Sequence, residues 1–498
     1  MRQRVLVASN RGPVSYEVGA DGTLVGRRGG GGLIAGMPSG LASVAAQAEA
    51  IWICAALSDG DRLLARGPQA VTGNPEDPGE VRIRMLDIPP ETLHRAYNKV
   101  ANAVLWFTHH LLFDTPNQPQ FGHEFRLDWE EYRAYNQAFA DALAQEIGAA
   151  PAAPTRVLVQ DYHLTLAPRL LRDQLGDQLD GGPGDVGIAH FSHTPWAPPD
   201  YYRVLPRQVG RAVLDGILGA DHAGFHARRW ADAFLDCCEV ILGAQVSRAG
   251  AGNTAGRVSY RGRVTEVAVH PLGVDVPALR ASAQADDVRA HVGELGRAVD
   301  GKLLIVRIDR VEPSKNIVRG LAAYRELLAT RPEWHGRVVH LAFAYPSRTA
   351  VPQYQAYPDQ ITRIARQISE EFRTPEWDPL ILQVRDDYPR SLAACALADV
   401  LLVNPIRDGM NLVAQEGPVV SERGCALVLS SEAGVAAKLG DHALLVNPYD
   451  VSETAEALHQ ALVMPEAERR RRSAALAATA AVCPPARWLQ DQLAALAG

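Results

Sequence analysis

A chain of 498 residues is longer than one ordinary hydrophobic core supports, so two or three domains are expected. With 47% hydrophobic and 21% charged residues and no low-complexity tract, the composition excludes a disordered or fibrous protein. A net charge of -7 argues against a nucleic-acid partner, and six cysteines, Cys237 and Cys238 adjacent and the rest scattered, without a CxxC pair argue for mostly reduced, packing thiols in a cytoplasmic protein.

In chain order, the first apolar run, Arg4 to Ala8, reads as a strand and is too short for a signal-peptide core or a membrane span, so no membrane association is expected. Further β-rich apolar runs follow at Arg156 to Gln160, Gly187 to Ser192, Val264 to His270, Leu303 to Arg307, Val338 to Phe343 and Val400 to Asn404, with helical patterns between them. Strands alternating with helices imply parallel βαβ units and doubly wound α/β sheets. His270-Pro271-Leu272-Gly273-Val274-Asp275 closes one series and Leu303 opens another, which places a first domain at 1–274 and a second at 275–480. The Gly- and Pro-rich stretches at 148 to 154 and 181 to 185 read as loops of the first domain. Arg469 to Arg472 read as a solvated helix face, and residues 481–498, with Trp488, Leu489, Leu493 and Leu496, as a closing amphipathic helix that packs back on the first domain.

Two Rossmann-like halves carry their loops at the carboxyl ends of parallel strands, so a ligand is expected in the crevice between the domains. After the first strand come Ser9-Asn10-Arg11-Gly12-Pro13 and then Arg27-Arg28-Gly29-Gly30-Gly31-Gly32-Leu33, a basic glycine run in which backbone amides can approach an anion. In the second half, Arg310-Val311-Glu312-Pro313-Ser314-Lys315-Asn316 sets two cations five residues apart after a buried strand, the neutralisation that a leaving diphosphate needs. Asn404-Pro405-Ile406-Arg407-Asp408-Gly409-Met410-Asn411-Leu412-Val413-Ala414-Gln415-Glu416 runs from a strand through a turn into a helix. Its amides can face phosphate, and Asp408 and Glu416 can accept sugar hydroxyls, although Asp408 equally fits a turn cap.

Two motifs are set aside. Asp59-Gly60-Asp61 has the spelling of a metal-binding DxD but reads as a solvated turn. His109-His110, adjacent on a helix and without a suitably spaced carboxylate or thiol, reads as packing or acceptor lining, so no metal site is assigned.

Asn10-Arg11, Asn102-Ala103-Val104-Leu105-Trp106, Asp161-Tyr162-His163-Leu164, His193-Thr194-Pro195-Trp196, Arg310 with Lys315, Pro346-Ser347-Arg348 and Arg407-Asp408-Gly409-Met410-Asn411-Leu412-Val413 occur in the order found in trehalose-6-phosphate synthases, which this chain resembles from Val5 to its closing helix. The resemblance implies a GT-B fold, two Rossmann-like domains facing each other across a cleft, with acceptor held by the first and nucleotide sugar by the second. It implies that Arg11, Tyr97, Trp106 and Arg348 surround the phosphate of glucose 6-phosphate and that Asp161 holds acceptor hydroxyls. It places Gly32 under the donor diphosphate, Arg310 and Lys315 on it, and His193 and Asp408 on the transferred glucose. Phe343 edges the base, Glu416 takes the ribose, and Gly409, Met410, Asn411, Leu412 and Val413 line the phosphates and base.

The reaction implied is a retaining, front-face transfer without metal or other cofactor, in which the leaving phosphate takes the acceptor proton while fixed cations hold the departing charge. Dimers or tetramers are common among such enzymes, so a homo-oligomer is carried over by analogy. The sequence departs from the common pattern at Asn316, Gln415 and Phe343-Ala344-Tyr345, which leaves UDP-glucose and GDP-glucose as competing donors. Two other activities fit a similar site: a pseudoglycosyltransferase resembling validoxylamine 7'-phosphate synthase, which couples an activated cyclitol to an aminocyclitol phosphate, and a non-catalytic sugar-phosphate sensor. Retention of Arg310, Lys315 and Asp408 speaks against the sensor.

Overall fold

A computed structural model describes residues 3–496 except 20, 29–36, 38–39, 42–47, 68–70, 75–76, 177–184, 251 and 349–351. The glycine run, Gly32 included, lies outside the described residues. The chain divides into two compact units, one comprising Met1–Leu272 with Pro485–Gly498 and the other Gly273–Pro484.

The first unit is built on a sheet of ten strands: β1 (Gln3–Ser9), β4 (Ala48–Ala55), β5 (Val71–Asn74), β6 (Asp77–Leu86), β7 (Thr155–Gln160), β8 (Val186–Ser192), β9 (His222–Phe225), β10 (Gln245–Arg248), β11 (Thr254–Tyr260) and β12 (Arg263–Val269). A separate hairpin pairs β2 (Val14–Val18) with β3 (Leu24–Arg28). The sheet order is β10-β11-β12-β9-β8-β7-β1-β4-β6-β5. All pairs from β12 to β6 are parallel, and the antiparallel pairs are confined to the two ends. β1 is central, with Leu6 opposite both Ile51 and Val157. Its VLVAS run is buried on both faces, which is why it reads as continuously apolar rather than alternating.

The second unit is a wholly parallel sheet of six strands, β13 (Leu303–Arg310), β14 (Val338–Tyr345), β15 (Leu380–Gln383), β16 (Val400–Val403), β17 (Ala426–Ser430) and β18 (Leu444–Val446), in the order β15-β14-β13-β16-β17-β18. In both sheets the strand order reverses beside the first strand, between β1 and β7 and between β13 and β16. Ligands of doubly wound folds bind at such switch points, outside the carboxyl ends of the strands. The α/β class expected from the strand and helix alternation is therefore the class observed.

Several local expectations need correction. Asp61 is not a solvated turn: it is 2% exposed and sits in the first turn of the helix Asp59–Ala65. Its carboxylate accepts the amides of Tyr16, Leu57 and Ser58 and the hydroxyl of Ser15, so it is spent on a capping box and a loop anchor. Within Arg469 to Arg472, Arg469 turns inward to the buried carboxylate of Asp399, while Arg470 to Arg472 pair with Glu466 and Glu468 along the helix Glu466–Ala480. The tail helix Pro485–Ala494 buries Trp488, whose ring meets Phe191 of β8 edge-on at 5.0 Å. All six cysteines are buried free thiols, as their spacing suggests. Among the described residues no helix is long and apolar enough to cross a membrane.

Candidate active site

The first unit gathers its polar side chains at the β1/β7 switch point. β1 ends at Ser9, whose hydroxyl donates to the carbonyl of Arg11 (2.7 Å) and so folds the chain back at once. Gly12 follows because a Cβ there would lie 2.6 Å from the sulfur of Cys54. Arg11 emerges exposed and donates to the hydroxyl of Tyr97 (3.0 Å), while Asn10 stays buried and accepts from Tyr135 (2.7 Å).

Tyr97 belongs to a π-helix, His94–Leu105, and Trp106 follows it directly. The wider turn of a π-helix is costly and marks functional segments, and no periodicity in the sequence distinguishes it from an ordinary helix. Its Asn102 accepts from Tyr162 (2.8 Å), Trp106 stacks on His110 at 3.9 Å, and Tyr97 stacks on His163 at 5.5 Å.

Asp161, immediately after β7, has φ 72 and ψ 174. That region is essentially glycine's, and a side chain there stores roughly 1–3 kcal/mol of strain. Hydrogen bonds on both sides brace the conformation: the Asp161 amide donates to the Phe191 carbonyl (2.7 Å), its carbonyl accepts the amide of Leu164 (3.1 Å), and its carboxylate accepts the amide of His193 (3.1 Å). Loops after β7 and β8 are thereby tied together. The His193 ring is engaged at both nitrogens, Nε2 with Gln160 (2.9 Å) and Nδ1 with His226 (3.1 Å). Burial, with neighbouring His226 and His190, pushes the His193 pKa well below its usual value, so it is a neutral ring at working pH.

In the second unit the charged residues cluster at the β13/β16 switch point. Arg310 ends β13 with its side chain 45% exposed. A short 3₁₀ turn, Pro313–Lys315, then carries Lys315 to Asp408, Nζ to Oδ2 at 2.5 Å. The turn closes at Asn316 with φ 58, where glycine is the easiest residue; asparagine tolerates this region, and here its amide donates to the carbonyls of Asn404 (3.0 Å) and Pro448 (2.7 Å). The departure from the family pattern at this position is thus structurally compensated.

Asp408 fills the turn-cap role weighed for it. Its carboxylate accepts the amide of Met410 (3.3 Å) and the side chain of Asn411 (3.2 Å) while it pairs with Lys315. Its backbone is pinned between Glu432 and Gly434. Gly409, Met410 and Asn411 are buried, and Asn411 accepts the amide of Ala414, leading into the helix Val413–Val420 behind Leu412. Glu416 lies on the first turn of that helix, and burial pushes its pKa up to about 7. Phe343 is fully enclosed within β14, whereas Tyr345, two residues on, is only half-buried and its hydroxyl meets Ser391.

Arg348, read from sequence as an acceptor residue, belongs to this second unit. It has φ 49, its side chain is 8% exposed, and it donates to Tyr354 (2.9 Å). Between Arg310 and Arg348 sits Glu312, a completely buried carboxylate. Burial alone would raise its pKa, but Arg310, Arg348 and Lys315, with the Ser347 hydroxyl, hold it at about 2. Sequence reasoning quoted Glu312 inside its motif and gave it no part; the signal was an acid between two functional cations. Gln160, His226 and Tyr354 were missed because only the fold brings them to the assigned residues.

Known proteins supply an independent measure. The chain matches the profile of Glycosyltransferase family 20 over residues 3–497. It is 31% identical over 471 residues, 94% of this chain and 85% of the relative, to an alpha,alpha-trehalose-phosphate synthase (UDP-forming) of Schizosaccharomyces pombe. Among solved structures it is similar to one described as "Trehalose-6-phosphate from E. coli bound with UDP-2-fluoro glucose", at 26% identity and a TM-score of 0.80, covering 99% of each chain. It is also similar to a UDP-forming synthase of Burkholderia xenovorans in complex with glucose-6-phosphate, at 25% identity and a TM-score of 0.82, covering 99% of this chain and 100% of that one.

Proposed function

The chain belongs to glycosyltransferase family 20, and from that premise we propose that it transfers glucose from UDP-glucose to glucose 6-phosphate, forming α,α-trehalose 6-phosphate with retention at the donor anomeric carbon and without a metal. The observation that carries this reading is the cation group at the β13/β16 switch point, where Arg310 and the Lys315–Asp408 pair adjoin the loop that leads to Glu416. Two cations and a sugar-binding carboxylate on one loop cluster suit a sugar joined to a diphosphate.

In the reaction proposed, the bond from the donor anomeric carbon to the diphosphate oxygen breaks, and a bond to the anomeric hydroxyl oxygen of glucose 6-phosphate forms on the same face. The acceptor proton passes to the departing phosphate oxygen, and UDP leaves. Arg310 and Lys315 hold the charge that develops on that phosphate. Asp408 and His193 hold the transferred glucose, His193 as a neutral ring. Asp161 orients acceptor hydroxyls, and Arg11, Tyr97, Trp106 and Arg348 bind the acceptor phosphate. Glu416 takes the ribose hydroxyls. Preorganised groups of this kind lower the barrier without reorganising during the step.

Uridine is favoured by the fission-yeast relative, which is UDP-forming. Guanosine is the alternative that the departures at Gln415 and Phe343-Ala344-Tyr345 keep in the test. The decisive assay measures nucleotide release from UDP-glucose and from GDP-glucose, with and without glucose 6-phosphate, in the presence of a chelator, with the product identified by NMR. Acceptor-dependent α,α-trehalose 6-phosphate from UDP-glucose is the expected result. Product only from GDP-glucose would reassign the base, and no release from either donor would overturn the reading.

A further inference from the structure

The second unit holds a feature that the transfer chemistry above does not use. Glu312 follows Arg310 by two residues, has extended backbone (φ -132, ψ 137) and enters the Pro313–Lys315 turn, so proline and the turn fix where its side chain starts. One carboxylate oxygen, Oε1, accepts the Ser347 hydroxyl at 3.0 Å and lies within ion-pair range of Arg310 at 3.2 Å and of Arg348 at 3.8 Å. The other oxygen, Oε2, is buried with no hydrogen-bonding partner among the described residues. Arg348 is itself enclosed and steadied by Tyr354, which is 2% exposed, while Arg310 remains half-open.

A buried carboxylate serving two guanidinium groups through one oxygen is an incompletely shared counter-ion. It compensates either arginine fully only by turning toward it. Without the negative charge, the half-open Arg310 and the enclosed Arg348 would lose the counter-ion they share, and their repulsion would be only partly screened by solvent. We propose that Glu312 is a positioning residue that couples the two substrates, holding Arg310 for the donor diphosphate and Arg348 for the acceptor phosphate through a single shared carboxylate. This rests on the roles given to Arg310 and Arg348 under the proposed function.

The test uses calorimetric binding of UDP and of glucose 6-phosphate to the full chain. Glu312→Gln is expected to weaken both ligands at least tenfold, whereas Arg348→Ala weakens glucose 6-phosphate alone. Placed on the Arg348→Ala background, Glu312→Gln should add nothing to the loss of glucose 6-phosphate yet still weaken UDP, a non-additivity that general damage to the loop would not produce. Glu312→Asp, which keeps the charge on a shorter arm, should recover part of the affinity for both ligands, and it carries the test if the Gln variant does not fold. Wild-type strength for either ligand in Glu312→Gln, or full additivity with Arg348→Ala, overturns the coupling while leaving the proposed function intact. Failure of the wild-type protein to bind either ligand overturns both.

Discussion

At the switch point of the first unit the polar side chains are mostly neutral and bound to one another, whereas at the corresponding place in the second they are ion pairs. His193 is held between Gln160 and His226, and Tyr97 between Arg11 and the ring of His163. Lys315 rests on Asp408, and Arg310 and Arg348 on Glu312. Neutral hydrogen bonds fix direction and suit sugar hydroxyls, whose geometry must be matched. Ion pairs store charge that an arriving phosphate can claim by displacing one partner, at modest cost where solvent reaches the pair.

The largest effect that would sharpen this contrast is Arg310→Ala. Removing a cation that stabilises developing charge costs about 3 kcal/mol or more, roughly a hundredfold in turnover, read by nucleotide release under saturating substrates. Near-normal turnover would remove Arg310 from the reaction. In the first unit the matching test is Asp161→Gly against Asp161→Ala. Both delete the carboxylate and should impair acceptor use alike. Glycine also relaxes the φ 72 backbone, so its variant should be more stable than the alanine variant by about 1–3 kcal/mol in denaturant unfolding. Equal stability would show that the strain is not felt.

Next in size, Arg348→Ala should raise the KM for glucose 6-phosphate about tenfold, with the donor KM moved far less, in initial-rate kinetics; one good charge-assisted contact is of that order. Equal changes in both would withdraw Arg348 from the acceptor phosphate.

The smallest difference concerns pH. Burial holds the pKa of His190, His222 and His270 in the first unit down to about 4, whereas an unfolded histidine titrates near 6.5. The unfolded state therefore binds more protons in that window, and stability falls as pH drops through it. In the second unit Glu416, raised to about 7, works the other way: the native state binds more protons below that pH, which stabilises on acidification, with His340 opposing. Hydrogen exchange at pH 7 and pH 6 should show severalfold loss of protection in β8 and β9 and less in β13 and β16. Equal losses would mean that the two units titrate alike.

What could be read from sequence follows from the same contrast. Strands that end in charged or small-residue motifs, such as β13 before Arg310, announce themselves because burial and chemistry change within a few residues. β4, with the run AEAIWICA, and β9, with only His222–Phe225, carry no such break, and a short apolar run does not separate buried strand from buried helix. The π-helix before Trp106 has no signature of its own. Pairs close in sequence, like Arg310 and Lys315, were visible as candidates. Glu312 with Arg348, or Gln160 with His193, become partners only when separate strands are laid side by side.

The placement of Trp488 has a consequence for how the protein is made. The first unit's β8 surface is completed by a ring that leaves the ribosome only after every residue of the second unit. Until then Phe191 lacks its cover, so the part synthesised first is the part finished last. Folding along the nascent chain should thus complete Gly273–Pro484 while the earlier unit is still open, and a chain halted before Trp488 would hold one finished lobe and one exposed to chaperones.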